Sequence, residues 1–429
     1  MKVVSTSETT FSFMKPRIMT LIIFALLFLI IDYYVFQAVL TVTKNWSPSW
    51  KNIFQYGFWI PTVLSIAALL WWSFGDPYKY SPGFRNWVLT GLVATYFSKT
   101  FAVAILFVDD ITRGVKWLTT LFTKGSGEGG AGDGITRSEF LSKTALIASA
   151  IPFGTMAYGI ISGAHDYRIR RQTVKLPHLP KAFDGLKIAQ LSDIHSGSFF
   201  NKTAVKGGVE MALAEKPDVI FFTGDLVNNE ASEVKDYVDV FNKLKAPLGI
   251  YSITGNHDYG DYHRWPSLDA KRKNFKDLIE AHRLLGFNLL MNQHHFLELN
   301  GDKIALLGIE NWGGRGFAKY GKLDLAHQGT NEAAVKLLLS HDPSHWDAQV
   351  LPTYSDIDIM FAGHTHGFQF GVELGNFKWS PSQYAYKQWA GLYQQGSQYL
   401  YVNRGFGYIG YPGRIGMPPE ITIIELKRG

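Results

Sequence analysis

The stretch LKIAQLSDIH, residues 186–195, runs mostly apolar through Leu191, interrupted by Lys187 and Gln190, and then breaks into Ser192, Asp193, Ile194 and His195. The same construction recurs in DVIFFTGD (218–225), GIYSITGNHD (249–258) and IDIMFAGHTH (357–366). Each is a short β-branched or aromatic run of strand length, ended by Gly or Ser, that delivers carboxylate, imidazole or amide side chains at its C-terminal end. A fifth imidazole, His341, follows the apolar run 335–340. Strand C-terminal ends gather along one edge of an α/β sheet, where such folds place their sites.

Outward from these stretches, strands are expected at 186–191, 219–223, 250–254, 304–308, 335–340, 357–362, 400–403 and 421–426. Helical stretches are expected within 203–215, 232–244, 271–285 and 331–338, the last competing with the strand that begins at Val335. Strands alternating with helices and then mostly strands predict an α/β sandwich with mixed sheets. On an extended strand, residues i and i+2 point the same way, so Asp193 and His195, or His364 and His366, reach one metal from one strand end. Asp225 is a candidate to bridge two cations about 3.5–4 Å apart. Glycines before Asp225, Asn256 and His364 permit the tight turn that aims each of these side chains. One Asp-x-His alone is commonplace; five clusters in order at strand ends are a metal-binding set.

The first third of the chain reads differently. Segments Ile18–Val42, 54–74 and 87–108 are apolar enough to cross a bilayer, which takes roughly 20 helical residues, and a fourth, 140–163, is expected to do so despite Pro152. Asp32 and Lys99 fall inside these spans, either paired within the bundle or reaching water from helix ends. The run GSGEGGAGDG, 125–134, has the composition of a flexible linker. Lys2, Lys15 and Arg17 favour a cytoplasmic N-terminus, whereas Arg113, Lys116, Lys124 and Arg137 argue the other way, so charge chooses no side for the C-terminal domain. The chain of 429 residues divides into a membrane region (1–163), a linker (164–183) and a domain (184–429). With no cysteine, disulfides, thiolate metal sites and thiol nucleophiles are excluded. A net charge of +6 without a dense basic run argues against a nucleic-acid partner.

Asp193-x-His195, Gly224-Asp225, Gly255-Asn256-His257-Asp258, His341 and Gly363-His364-x-His366 together resemble the signature of the calcineurin-like metallophosphoesterases, over roughly residues 184–426. With hydrophobic helices ahead of the domain, the chain is most similar to the membrane-linked bacterial branch, as are Asn403-Arg404-Gly405, Arg414 and Pro418-Pro419-Glu420. The resemblance implies a four-layer α/β/β/α sandwich behind a transmembrane helical region, in a bacterial cytoplasmic membrane. It implies two divalent metals, Mn²⁺ favoured over Fe or Zn²⁺ by a mixed N/O ligand set. Asp193, His195 and His366 would hold one metal, Asn256, His341 and His364 the other, and Asp225 both. His257 would stand over the substrate as acid or clamp, with Asp258 orienting it, while an activated hydroxide attacks phosphorus in line. Arg404 and Arg414, in Gly-rich loops, are candidates to grip phosphate or, equally, to be solvated or paired with acids. Of the remaining groups, His294 and His295 read as a surface strand, His345 and Asp347 as structural, and Trp312 as cleft lining or packing. Aromatic residues between 384 and 393 are candidates for lipid or headgroup contact. The implied activity is hydrolysis of phosphoric ester or pyrophosphate bonds, with lipid-linked substrates suggested by the anchor. The alternative is a non-catalytic metal-bound membrane sensor or scaffold.

Overall fold

A computed structural model of the chain describes residues 6–75, 80, 82–122, 137–375 and 377–429; the Gly-rich run 125–134 lies outside them. The chain forms two compact units, Met1–Ala157 and Tyr158–Gly429.

The first unit is helical: α1 (Thr6–Val42), α2 (Pro48–Phe74), α3 (Pro82–Phe122) and most of α4 (Arg137–Ile161). All four helices are long and apolar enough to cross a membrane, and each keeps most of its side chains uncovered by protein. That is the pattern of helices whose outer faces meet lipid. Asp32 and Lys99 take the paired option. Both are buried and in contact, and Asp32 also accepts hydrogen bonds from the Thr62 hydroxyl (2.6 Å) and the Tyr96 hydroxyl (2.9 Å). One carboxylate on α1 thereby ties α2 and α3 to it, the arrangement that an intramembrane charge requires.

The second unit holds two six-stranded sheets among its described residues. The first sheet runs β1 (Arg168–Leu176), β14 (Glu420–Arg428), β2 (Lys187–Leu191), β3 (Val219–Phe222), β4 (Ile250–Ser252) and β5 (Asn288–Leu289). The second runs β12 (Gly391–Gln395), β13 (Gln398–Val402), β9 (Ile359–Ala362), β8 (Lys336–Leu339), β7 (Asp302–Gly308) and β6 (Gln293–Leu299). Both are mixed: β14 is antiparallel to β2, and β6 and β12 are antiparallel to their neighbours. Strand alternation sorts the side chains into layers. Ile188, Phe221, Leu337 and Phe361 point into the core between the sheets. Ala189, Phe222 and Leu191 point outward onto α5 (Lys202–Ala214) and α7 (Leu268–Leu284). Leu338, Met360 and Ala362 point the other way, toward Leu323, Ala326 and Trp346. The result is the α/β/β/α sandwich.

Two expectations need correction. The segment 164–183, read as a linker, carries β1, which pairs in parallel with β14 along its whole length and so belongs to the sandwich. The helix expected at 331–338 is absent; a turn leads into β8, buried on both faces, and the short helix α8 (Leu323–His327) precedes it. A run buried on both sides has no periodicity to distinguish strand from helix. The stretch 232–244 forms a 3₁₀ turn (Ala231–Tyr237) followed by one helical turn, α6 (Val238–Phe241).

Candidate active site

The loops after β2, β3, β4, β8 and β9 meet at one edge of the sandwich. Asp193, His195 and His366 form one group and Asp225, His341 and His364 a second, each with its ligand-type atoms within 4.8 Å of one another. In the first, His366 Nε2 stands 3.2 Å from Asp193 Oδ1 and 3.1 Å from His195 Nε2. In the second, His364 Nδ1 stands 3.3 Å from His341 Nε2 and 2.8 Å from Asn256 Oδ1. Asp225 Oδ2 lies between them, 3.5 Å from His195 Nε2 and 3.2 Å from His341 Nε2. A cavity of about 430 Å³ opens over this edge, lined by His195, Asp225, Asn256, His257, His364 and His366, with Phe317, Phe368 and Tyr386 among its walls.

The backbone is bent hard to bring these groups together. Asp193, His195, Asp225, His364 and His366 all have positive φ, between 48° and 72°. For residues with a Cβ this region costs about 1–3 kcal/mol each, so five of them approach the whole stability of a domain. Such strain persists only where packing over-determines it. The glycines do part of that work by closeness: a Cβ on Gly255 would stand 2.2 Å from Asp225 Oδ1, and one on Gly363 2.0 Å from Ser192 Oγ.

Electrostatics follow from burial and proximity. Burial alone would push the Asp193 and Asp225 carboxyls up, but the surrounding imidazoles, His366 for Asp193 and His341 for Asp225, hold both well below the usual range. Burial opposes protonation of His341, yet the charges of Asp225 and Asp193 raise it to about 10. Burial drives His195 far down. Four imidazoles and two carboxylates thus converge on a buried edge of the sandwich. His341 Nδ1 lies 2.7 Å from the Thr223 carbonyl, to which it donates, so its Nε2 faces inward, where a bound metal would take the place of its proton, as in ligating histidines. The His195 Nδ1 is buried without a partner. Oxygen and imidazole donors of this kind suit divalent Mn, Fe or Zn, so the residues present fit a pair of metal ions.

His257 borders the cavity, its Nδ1 2.9 Å from the Asn228 carbonyl and its backbone N–H donating to Asp225 Oδ1 (2.9 Å). Asp258 does not touch the His257 ring. Its buried carboxylate accepts the backbone N–H groups of Gly255 (2.8 Å), Asp225 (2.9 Å), Leu226 (2.8 Å) and Val227 (3.3 Å). Burial and the charge of Asp225 push it up to about 7, against the N–H donors of Gly255 and Val227. Asp258 therefore braces the two loops, and Asn228 orients His257. The arginines are corrected too. Arg404 is buried and ion-paired to Glu420 and Glu373. Arg414 is buried and spends its guanidinium on the carbonyls of Arg404, Gly405, Gly407 and Met417, with His366 Nδ1 3.3 Å away. Neither is presented to the cavity. His294 and His295 lie on β6. His345 bonds Ser340 and Gln349, Asp347 bonds Gln388, and Trp312 stacks on His345. Sequence reading missed the Asn228 carbonyl and Tyr386, whose hydroxyl is 2.8 Å from His364 Nε2. It also missed Asp342, buried 3.9 Å from that nitrogen. Of these only Asp342, beside His341, had a positional hint.

A family model described as calcineurin-like phosphoesterase matches residues 186–368, and one described as probable calcineurin-like phosphoesterase, transmembrane domain, matches residues 17–164. The uncharacterized metallophosphoesterase YkuE of Bacillus subtilis is 31% identical over 294 residues, spanning 64% of this chain and 94% of that protein. Phosphodiesterase YaeI of Escherichia coli is 27% identical, spanning 68% of this chain and 99% of that protein. A transmembrane protein with metallophosphoesterase domain from Danio rerio is 30% identical over 66% of this chain, which spans 62% of that protein's length. Members of the family bind two divalent metals, and the two residue groups at the sheet edge match that number. The chain belongs to the calcineurin-like metallophosphoesterases, phosphoesterase hydrolases, and carries its domain behind four candidate membrane-spanning helices.

Proposed function

We propose that the protein is a dinuclear-metal phosphodiesterase or pyrophosphatase acting on phosphate groups carried by membrane lipids. The observation that carries the two-metal reading is that Asp225 Oδ2 lies 3.5 Å from His195 Nε2 and 3.2 Å from His341 Nε2, members of two separate ligand groups. In this reading Asp193, His195 and His366 hold one ion, Asn256, His341 and His364 the other, and Asp225 both. Ions held there supply Lewis acidity toward phosphoryl oxygens and lower the pKa of a coordinated water. We favour Mn²⁺ on the N/O donor set.

The chain's own groups supply the rest. The Asn228 carbonyl fixes the proton of His257 on Nδ1, leaving Nε2 free to carry a proton at the cavity. That is the place for the group that protonates the leaving alkoxide. Phe317 and Phe368 give the cavity apolar walls that exclude water beside the phosphate. Asp258 and Tyr386 keep the loops and the His364 ring in place. The lipid part of the reading rests on the membrane-spanning helices, and the bacterial cytoplasmic membrane on the bacterial relatives.

Hydrolysis of bis-p-nitrophenyl phosphate and p-nitrophenyl phosphate by the full chain in detergent with Mn²⁺ tests it. Diester turnover that Asp225→Ala abolishes supports the reading. A folded, metal-loaded protein with no turnover on either ester supports the scaffold alternative instead. Equal cleavage of long-chain and water-soluble substrates removes the lipid part.

A further inference from the structure

The hairpin β10–β11 (Val372–Leu374 and Phe377–Trp379) is built inside out for a water-exposed element. Its register pairs Val372 with Trp379, Glu373 with Lys378 and Leu374 with Phe377. Alternation therefore puts Val372, Leu374, Phe377 and Trp379 on one face and Glu373 and Lys378 on the other. The charged face reaches back to the protein through its polar ends, with Glu373 half-buried and Lys378 exposed. Glu373 pairs with the buried Arg404 and with Arg170, and Lys378 donates to the Ala390 carbonyl and lies 5.2 Å over the Trp389 ring. The apolar face is left outside, with Leu374 72% and Phe377 60% exposed. Phe368 and Phe370, just before the hairpin, are also exposed.

What adjoins this patch gives its partner. Gln369 stitches the hairpin's root to the loop 409–415, through its side-chain bonds to the Tyr411 and Gly413 carbonyls and the Ile409 N–H, and its carbonyl accepts the Ile415 N–H at 2.8 Å. That loop is in turn seated on the last turn of α4, which lies within the same compact unit: Arg414 N–H donates to the Gly159 carbonyl at 3.1 Å. A Cβ on Gly163 would stand 2.0 Å from the Arg414 carbonyl. The last turn of α4, within this unit, therefore packs against the loop stitched to the hairpin's root, with Tyr158 and Ile161 exposed. Arg168, Arg170 and Lys378, with Glu373 among them, line a hollow at the hairpin's root. An apolar hairpin face with basic residues behind it, linked through the 409–415 loop to the last turn of α4, has the composition of an interfacial anchor for an anionic bilayer. Phe368 and Tyr411 also line the active-site cavity, so the same stitch reaches its rim.

We propose that the β10–β11 hairpin inserts its apolar face into the headgroup and acyl boundary of the bilayer, setting the rim of the active site against the lipid phosphates. The insertion stands on the hairpin's geometry; its use in presenting substrate rests on the lipid-phosphoesterase reading above.

The chain has no cysteine, so single Leu374→Cys, Phe377→Cys and Leu268→Cys variants of the full protein can each carry one bimane label. Position 268 is exposed on α7 and serves as the reference. In nanodiscs of phosphatidylglycerol and dibromo-phosphatidylcholine, labels at 374 and 377 should be quenched by the brominated lipid on the order of fivefold more than the label at 268. Aqueous iodide should show the reverse order. Labels at 374 and 377 as open to iodide as that at 268 overturn the proposal, as does efficient 374-to-374 crosslinking, which would make a second copy the partner. Thermal unfolding close to that of the unmodified chain shows that each variant is folded. Quenching without turnover on any phosphoester would keep the insertion and defeat the lipid-phosphoesterase reading; turnover without quenching would do the opposite.

Discussion

Replacing Asp258 by alanine separates two roles for this carboxylate. If it braces the loops, its loss leaves the N–H groups of Gly255, Asp225 and Leu226 without acceptors in a buried site, with Val227 as a longer fourth. Above pH 7, where Asp258 is ionised, each hydrogen bond to it is worth about 1.5–3 kcal/mol net. Water entering the vacated space and relief of the carboxylate's own desolvation offset part of the total. The expected cost is about 4 kcal/mol. For a unit of this size that lowers the melting temperature by about 10 °C. Asp258→Asn keeps one acceptor oxygen and turns an amide toward other donors, so about half that loss is expected. Because Asp225 and Gly255 are bonded directly, the loops carrying Asp225 and Asn256 should drift, and metal affinity should fall about 10–100-fold. Thermal unfolding of the full chain and metal titration measure both. An Asp258→Ala protein with unchanged melting temperature and metal affinity but lowered kcat would refute the brace and make Asp258 a partner of His257.

Other outcomes follow from the same contacts. His257→Ala should lower kcat about 10²–10⁴-fold on a diester while bound metal, measured by elemental analysis, stays at the wild-type level. Arg404→Leu leaves Glu420 buried and unpaired, so unfolding should come about 3–5 kcal/mol earlier while KM holds, the reverse of a phosphate-gripping role. Glu420 is held below the usual carboxyl range chiefly by Arg404, overcoming burial. Its contribution is therefore present above the unfolded pKa of about 4.3 and lost as pH falls through the lower folded value. Acid unfolding curves should show a weaker loss in that window for Glu420→Gln. In the helical unit, Lys99→Met should destabilise by about 3 kcal/mol by stranding Asp32, and adding Asp32→Asn should restore most of it, read by thermal unfolding in nanodiscs.

The strand ends that carry Asp193, His195, Asp225, Asn256, His341, His364 and His366 were legible because each follows an apolar run of strand length, and those runs form β2, β3, β4, β8 and β9. β1 was not legible. Its sequence RIRRQTVKL is polar because it is an edge strand with only Val174 and Leu176 buried, so apolar alternation is nearly silent. β8 was ambiguous for the opposite reason, being apolar on both faces. The role of Asp258 was misread because spacing reveals neighbours in the chain, whereas its partners are backbone N–H groups of two loops. Arg404 and Arg414 read as phosphate grips from their Gly-rich neighbourhood, yet both are buried as tertiary anchors. Tyr386 reaches His364 through a fold contact that no local pattern encodes.

The central claim is a two-metal phosphoesterase site bridged by Asp225. The most direct test counts metal by elemental analysis in the full-length protein and in Asp225→Asn, with diester turnover measured before and after chelation. The account predicts about two divalent ions per chain, turnover abolished by chelator and restored by Mn²⁺, and an Asp225→Asn protein that is folded, metal-depleted and inactive. Turnover that survives complete chelation, or an Asp225→Asn protein with full metal content and wild-type kcat, would contradict it.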